Sequence, residues 1–165
     1  MGHLLLLEEN IVPGLDALNR EDALKKIVDA MPPWNLRGVE KQKILELLTL
    51  REQIGTTAIG QGIALPHCFL PEIHDPIVAF AVSSSGVPYP SLDGRPVHFI
   101  FVLILPQNET AERQKRQILQ NVKWVLCDRY MRERLKAAHT VSEIHRLIIP
   151  KIRHVPALGT LLLSH

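Results

Sequence analysis

Residues 96–105 read PVHFIFVLIL, an apolar run broken only at His98. β-Branched and aromatic residues dominate it, so the backbone is predicted to be extended. A strand with one wet face alternates apolar and polar residues, and this run does not alternate. It is therefore read as a central strand covered on both faces, ended by Pro106. Residues 76–83, PIVAFAVS, form a second apolar strand, and the Ser-, Pro- and Gly-rich residues 84–94 between them read as a loop.

The covering layers come from segments of helical period. Asn19 is a candidate N-cap, with Glu21 and Asp22 in the first turn and Ala23, Leu24, Ile27, Val28 and Met31 on one face. Pro32 and Pro33 stop that helix. Residues 39–52, VEKQKILELLTLRE, give a second helix with Val39, Ile44, Leu47 and Leu48 inward. After Asn108 the chain turns helical again. Ile118, Leu119, Val122, Val125 and Leu126 make one apolar face, Asp128 caps a short helix, and Thr140 with Glu143 forms a capping box for a last helix through Ile149. Residues 10–18 read as extended chain and residues 150–165 as a tail. Interspersed strands and helices predict an α/β domain over residues 1–150, a mixed sheet with helices on both faces.

Composition excludes several classes. The chain has 165 residues, 46% of them apolar, and a formal net charge of +2. It is long enough for one real core. No dense basic run with interleaved aromatics marks a nucleic-acid surface. No apolar run reaches the roughly 20 residues that cross a bilayer, so no membrane insertion is expected. The start, MGHLLLLEEN, lacks the basic region of a signal peptide and reads as a first strand or helix edge. Cys68 and Cys127 form no CxxC pair, which fits free thiols in a reducing cytoplasm.

Residues 56–68, TTAIGQGIALPHC, carry the candidate chemistry. Gly55, Gly60 and Gly62 allow sharp turns and close backbone approach, and their amides are candidates for a phosphate nest. Pro66 stiffens the backbone before His67 and biases Leu65 towards extended chain. A neutral imidazole is a competent nucleophile near neutral pH. Arg51 can supply a bidentate partner for a phosphate, and Thr56 and Thr57 supply hydroxyls. Together they suggest a histidine that accepts a phosphoryl group. The plainer readings are a helix-end charge for Arg51, strand filler for the threonines and turns for the glycines. Cys68 follows His67 on a strand, so the two side chains point to opposite faces. His67, Cys68 and His74 match no zinc spacing, and no metal or cofactor is expected. His139 and His145 are expected in solvent, His98 satisfied in its strand, and Trp34, Tyr89 and Trp124 in packing roles.

The stretch RE-x-I-G-T-T-A-I-G-x-G-I-A-L-P-H, residues 51–67, resembles the active-site signature of the IIA domains of the bacterial sugar phosphotransferase system, fructose/mannitol type, which include the nitrogen-regulatory IIA proteins. DGRPVHFIFVLILP and LKAAHTVSEIHRLI resemble later parts of that family, so the likeness covers roughly residues 5–149. The resemblance implies a three-layer α/β/α fold and a cytoplasmic phosphocarrier. In it, His67 takes a phosphoryl group from the carrier protein HPr, with Arg51 assisting and Thr57 near the ring. Onward transfer to a cysteine of a IIB domain, or signalling to a regulated target, follows. The family's second histidine, early in the long helix, falls near Lys115 or Arg116 here. A lysine there neutralises phosphate charge but cannot accept a hydrogen bond. The apolar partner surface is expected from Ile63, Leu65, Phe69 and Leu70, and the chain reads as a stand-alone IIA domain. The alternative is a IIA-like binding or sensing module that has lost phosphotransfer.

Overall fold

The computed structural model describes residues 6–153. In chain order it holds strand β1 (Ile11–Val12), helices α1 (Arg20–Ala30) and α2 (Lys41–Ile54), and strands β2 (Ala58–Gly60), β3 (Ile63–Ala64), β4 (His67–Leu70), β5 (Ile77–Val87) and β6 (Val97–Pro106). Helices α3 (Ala111–Leu126), α4 (Arg129–Ala137) and α5 (Val141–Arg153) follow. The sheet order is β1-β5-β6-β3-β2, with β4 also on β6. β5 and β6 are antiparallel, β3 and β4 run parallel to β6, and β1 runs parallel to β5. The sheet is therefore mixed, and it lies between two helical layers.

β6 is the covered central strand. Phe99, Phe101, Leu103 and Leu105 pack with α3, α4 and α5, while Ile100, Val102 and Ile104 pack with α1 and α2. The side-chain alternation that an all-apolar sequence hides is thus an alternation between two cores. The core towards α3 takes the aromatics, and Phe80 stacks on its register partner Phe101 at 4.2 Å between centroids. The core towards α1 and α2 takes the small residues Ala64, Ala79 and Ala81.

The caps follow the sequence. Asn19 Oδ1 accepts from Asp22 N at 2.8 Å, and Asp128 accepts from Tyr130 N at 2.9 Å. Thr140 Oγ1 accepts from Glu143 N, and Glu143 reaches back one residue further than in a simple capping box, to His139 N.

Three element ends differ from expectation. β5 continues through the serine run to Val87, because a bulge between the Val82↔Phe99 and Val87↔Val97 pairs lets polar residues 83–86 stay in the strand. α5 runs past Pro150 to Arg153, since the Ile144, Ile148, Ile152 stripe continues across the proline and buries Ile152. Only Ile11 and Val12 of the N-terminal extended stretch pair as a strand, before Pro13 and Gly14 turn the chain. Half of the four-leucine run, residues 4 and 5, and the tail beyond Arg153 lie outside the described residues. Trp34 and Trp124, expected to pack, are 73% and 45% exposed.

Gly86 anchors the bulge. Its φ is +87°, and a Cβ there would lie 2.7 Å from Pro96 Cβ and 3.1 Å from His98 Cε1. Gly86→Ala is expected to destabilise the fold by about 2–4 kcal/mol, combining backbone strain with overpacking. Urea unfolding measures it, and a loss under about 0.5 kcal/mol, the size of an ordinary surface substitution, would contradict this account.

Candidate functional site

β3 and β4 are two pieces of one interrupted strand. Ile63 and Ala64 face Phe99 and Ile100, and His67 and Cys68 face Leu103 and Ile104, in one unbroken register along β6. The interruption is Leu65–Pro66. Pro66 has no N–H to give the ladder, though its carbonyl accepts from Leu103 N at 2.9 Å. Leu65 N donates instead to Thr57 O at 3.1 Å. His67 therefore opens β4 directly after a pinned kink.

The kink fixes the ring. His67 Nδ1 lies 3.0 Å from Leu65 O. A carbonyl oxygen only accepts, so Nδ1 carries the proton and the neutral ring's lone pair sits on Nε2. The side chain is 7% exposed and its edge meets Phe69 at 6.1 Å between centroids. Both rings lie on the α3 side of the sheet, whereas Cys68 packs into the α1–α2 core. Burial pushes the Cys68 thiol up to about 12, so it holds its proton and does no chemistry with His67.

The charges of two cations act on the ring, one from each helical layer. Arg51 stands in the last turn of α2 and its Nη1 donates to Gly55 O at 2.9 Å. Lys115 stands in the second turn of α3, 2.9 Å from Glu112 and 5.8 Å above the Phe69 ring. Burial first, then the charges of Arg51 and Lys115, hold His67 below the ordinary imidazole value, against the Leu65 hydrogen bond and the charge of Glu52. The ring is neutral and nucleophilic at neutral pH.

The same shift sets a pH dependence. Below pH 6.5 the unfolded chain binds a proton at this ring that the folded chain refuses. The neutral ring's contribution to stability is full above pH 6.5 and is lost as pH falls towards the depressed folded value. An NMR titration of the His67 ring is expected to give a midpoint below 6.5, and a midpoint above it would contradict the site's electrostatics.

The other sequence candidates are distributed as follows. Gly60 and Ile63 flank a two-residue hairpin turn, Gln61–Gly62, in which both residues have positive φ. Gln61 N donates to Asp93 Oδ2 at 2.9 Å, and Gly62 O accepts from the amides of His98 and Phe99. These groups are occupied within the protein and shape the hairpin. Thr57 is buried, and its hydroxyl donates to Glu52 rather than towards the ring. His98 Nδ1 donates to Ser83 O at 2.8 Å, the satisfied strand histidine expected. His145 is half-buried and lies 3.3 Å from Glu8, not free in solvent.

The expected apolar rim needs correcting. Ile63, Leu65 and Leu70 are 4%, 3% and 0% exposed and belong to the core, leaving only Phe69 partly open. Exposed apolar side chains occur instead at Ile54, Ile59 and Leu92, which the sequence reading passed over. Leu92 N donates to Ala58 O at 3.1 Å, placing Leu92 beside the strand that carries Ile59. Glu52 was also given no role, though it is 2% exposed. The helical period held the signal, because Ile44, Leu48 and Glu52 fall at i, i+4 and i+8 on the inward face.

Comparison with known proteins identifies the family. The family described as phosphoenolpyruvate-dependent sugar phosphotransferase system, EIIA 2, matches residues 4–151. A nitrogen regulatory protein of Pseudomonas aeruginosa is 31% identical over 150 residues, 88% of this chain and 96% of that protein. The fructose-specific EIIABC component of Bacillus subtilis is 30% identical over 147 residues, 87% of this chain but 22% of that longer protein. Among solved structures, the nitrogen regulatory protein IIA-Ntr of Neisseria meningitidis superposes with a TM-score of 0.76 at 22% identity, covering 86% of this chain and 94% of that one. Mannitol IIA of Escherichia coli, solved in complex with phosphorylated IIB, gives 0.71 at 22% identity over 88% and 98%. The match across nearly the whole described chain, on a three-layer fold, makes this protein a member of the EIIA type 2 family of the phosphoenolpyruvate-dependent sugar phosphotransferase system, a IIA-type phosphocarrier or regulatory protein.

Proposed function

We propose that His67 accepts a phosphoryl group on Nε2 from an HPr-like phosphohistidine carrier in the cytoplasm, and that Arg51 and Lys115 neutralise it there. The observation that carries this reading is a buried neutral imidazole, its proton fixed on Nδ1, whose charge feels two cations from different helical layers. The Nε2 lone pair forms a new N–P bond as the donor's N–P bond breaks, and that bonding pair returns to the donor nitrogen. His67 keeps its Nδ1 proton, so the positive charge of the phospho-imidazolium passes with the phosphoryl group from one ring to the other. Positioning and charge stabilisation do the catalytic work. Ile54, Ile59 and Leu92 offer apolar area for the carrier near the end of α2.

Lys115 favours signalling by phosphorylation state over rapid relay. As a cation on the phosphoryl oxygens it stabilises the phosphorylated form, and it offers no acceptor to orient the ring for departure. A module without phosphotransfer would give no reason for the paired cations at the ring. The test is the phosphoryl-exchange equilibrium with the carrier. Lys115→Met is expected to move it about tenfold towards the phosphorylated carrier, the weight of one charge-assisted hydrogen bond, with Lys115→Arg close to the unsubstituted protein. An unchanged equilibrium in Lys115→Met would remove Lys115 from the site.

A further inference from the structure

The reaction above leaves one buried charge unused. Glu52 is 2% exposed, and its carboxylate accepts from Thr57 N at 3.3 Å and from the Thr57 hydroxyl. Thr57 O accepts from Leu65 N at 3.1 Å, and Leu65 O accepts from His67 Nδ1 at 3.0 Å. Four residues from three separate segments thus form one chain running from a buried carboxylate to the ring. Arg51 clamps the same turn at Gly55 O. Tyr89 lies beside the Glu52–Thr57 pair. It is 5% exposed, and burial and the Glu52 charge hold its hydroxyl protonated.

We propose that Glu52 is a positioning residue for phosphoryl acceptance, acting through Thr57 and Leu65 to fix the His67 tautomer and to favour positive charge on that ring. The inference rests on His67 being the acceptor. A buried carboxylate is costly unless its bonds are satisfied, and here both oxygens commit to Thr57, whose carbonyl holds Leu65 beside the ring. The chemistry asks for this charge. The attacking ring is neutral and the phosphorylated ring is cationic, so positive charge develops on the imidazole during transfer. Arg51 and Lys115 suit the phosphoryl oxygens but oppose that charge on the ring, and Glu52 acts in the opposite sense. One set of charges serves the transferred group and the other serves the ring. Glu112, paired with Lys115, is the remaining acid near the ring, but it is exposed on α3 and outside the chain of bonds.

The experiment compares Glu52→Gln, Thr57→Val and Thr57→Ser in the full chain. Each is followed by the initial rate of phosphorylation from phosphorylated HPr and, without any donor, by ¹⁵N NMR of the histidine ring. Glu52→Gln and Thr57→Val are expected to slow acceptance about 10- to 100-fold, the cost of a misaligned reacting group. Glu52→Gln is also expected to lower the titration midpoint of His67, and Thr57→Val to mix the two tautomers. Thr57→Ser, which keeps both donors, restores rate and ring state. If Glu52→Gln does not fold, Thr57→Val against Thr57→Ser decides the matter. A folded Glu52→Gln protein with an unaltered His67 ring overturns the proposal, whatever its rate, because Glu52 would then be only a support for the turn. Lack of phosphorylation at His67 in the unsubstituted protein removes the underlying reading instead, and the ring measurement separates the two failures.

Discussion

His67→Gln is expected to take up no phosphoryl group, while the protein keeps its fold. The expectation follows from the uniqueness of the ring's setting. Cys68 is the next residue along the chain, but its thiol is buried on the opposite face of the sheet and held up at about 12. Cys68 therefore cannot take over. The cost to the fold is modest because His67 lies at the start of β4, where the strand pairs with β6 through its backbone. The loss in acceptance is complete rather than partial, since Gln offers no nucleophilic nitrogen. Intact mass after incubation with phosphorylated HPr, beside a thermal melt, measures both halves. A phosphorylated His67→Gln protein would move the acceptor elsewhere.

Arg51→Ala is expected to lower the rate of acceptance about 10²- to 10³-fold, the cost of removing one preorganised donor from a developing anion. Arg51 sits in the last turn of α2 with its guanidinium held on Gly55 O, so it is oriented before any phosphoryl group arrives. Arg51→Lys keeps a charge but loses the fork, and it is expected to recover only part of the rate. Removing the arginine also removes a charge that depresses His67, so the ring's titration midpoint rises in Arg51→Ala. That opposite movement separates the loss from unfolding. The rate falls although the ring's basicity increases, because the missing term belongs to the phosphoryl oxygens. Single-turnover kinetics with phosphorylated HPr reads the effect, and an Arg51→Ala protein within about threefold of the unsubstituted rate, under 1 kcal/mol, would take Arg51 out of the transfer.

Much of this was legible in the sequence, for physical reasons that can be named. The all-apolar run of β6 required two covering layers, and the helical stripes of α1, α2 and α3 supplied them. Asn19, Asp128 and Thr140 announced helix starts because a side-chain oxygen beside free backbone amides is a local device. Long-range packing was not legible. The polar residues 83–86 read as a loop, but a bulge keeps them in β5 where Val87 meets Val97. Pro150 read as a stop, but the buried Ile152 carries α5 beyond it.

At the proposed site, Pro66–His67 and Arg51 stood out because their constraints are local. Lys115 entered only through the family resemblance, with Arg116 as the other residue near the second histidine's place. The rim was misread because Ile63, Leu65 and Leu70 point into cores whose positions depend on the sheet. Glu52 stayed unremarked because its partners, Thr57 and the Leu65 kink, meet only when α2 and the β2–β3 hairpin close on each other.

The most direct measurement is ³¹P and ¹⁵N NMR of the protein after incubation with phosphoenolpyruvate, enzyme I and HPr at mildly alkaline pH. A single acid-labile phosphoryl group on Nε2 of His67 is the predicted result. The free protein's Nδ1 proton, held by Leu65 O, leaves no other ring nitrogen open. No phosphorylation with an HPr verified as phosphorylated, or a phosphoryl group on Nδ1 or on another residue, would contradict the account.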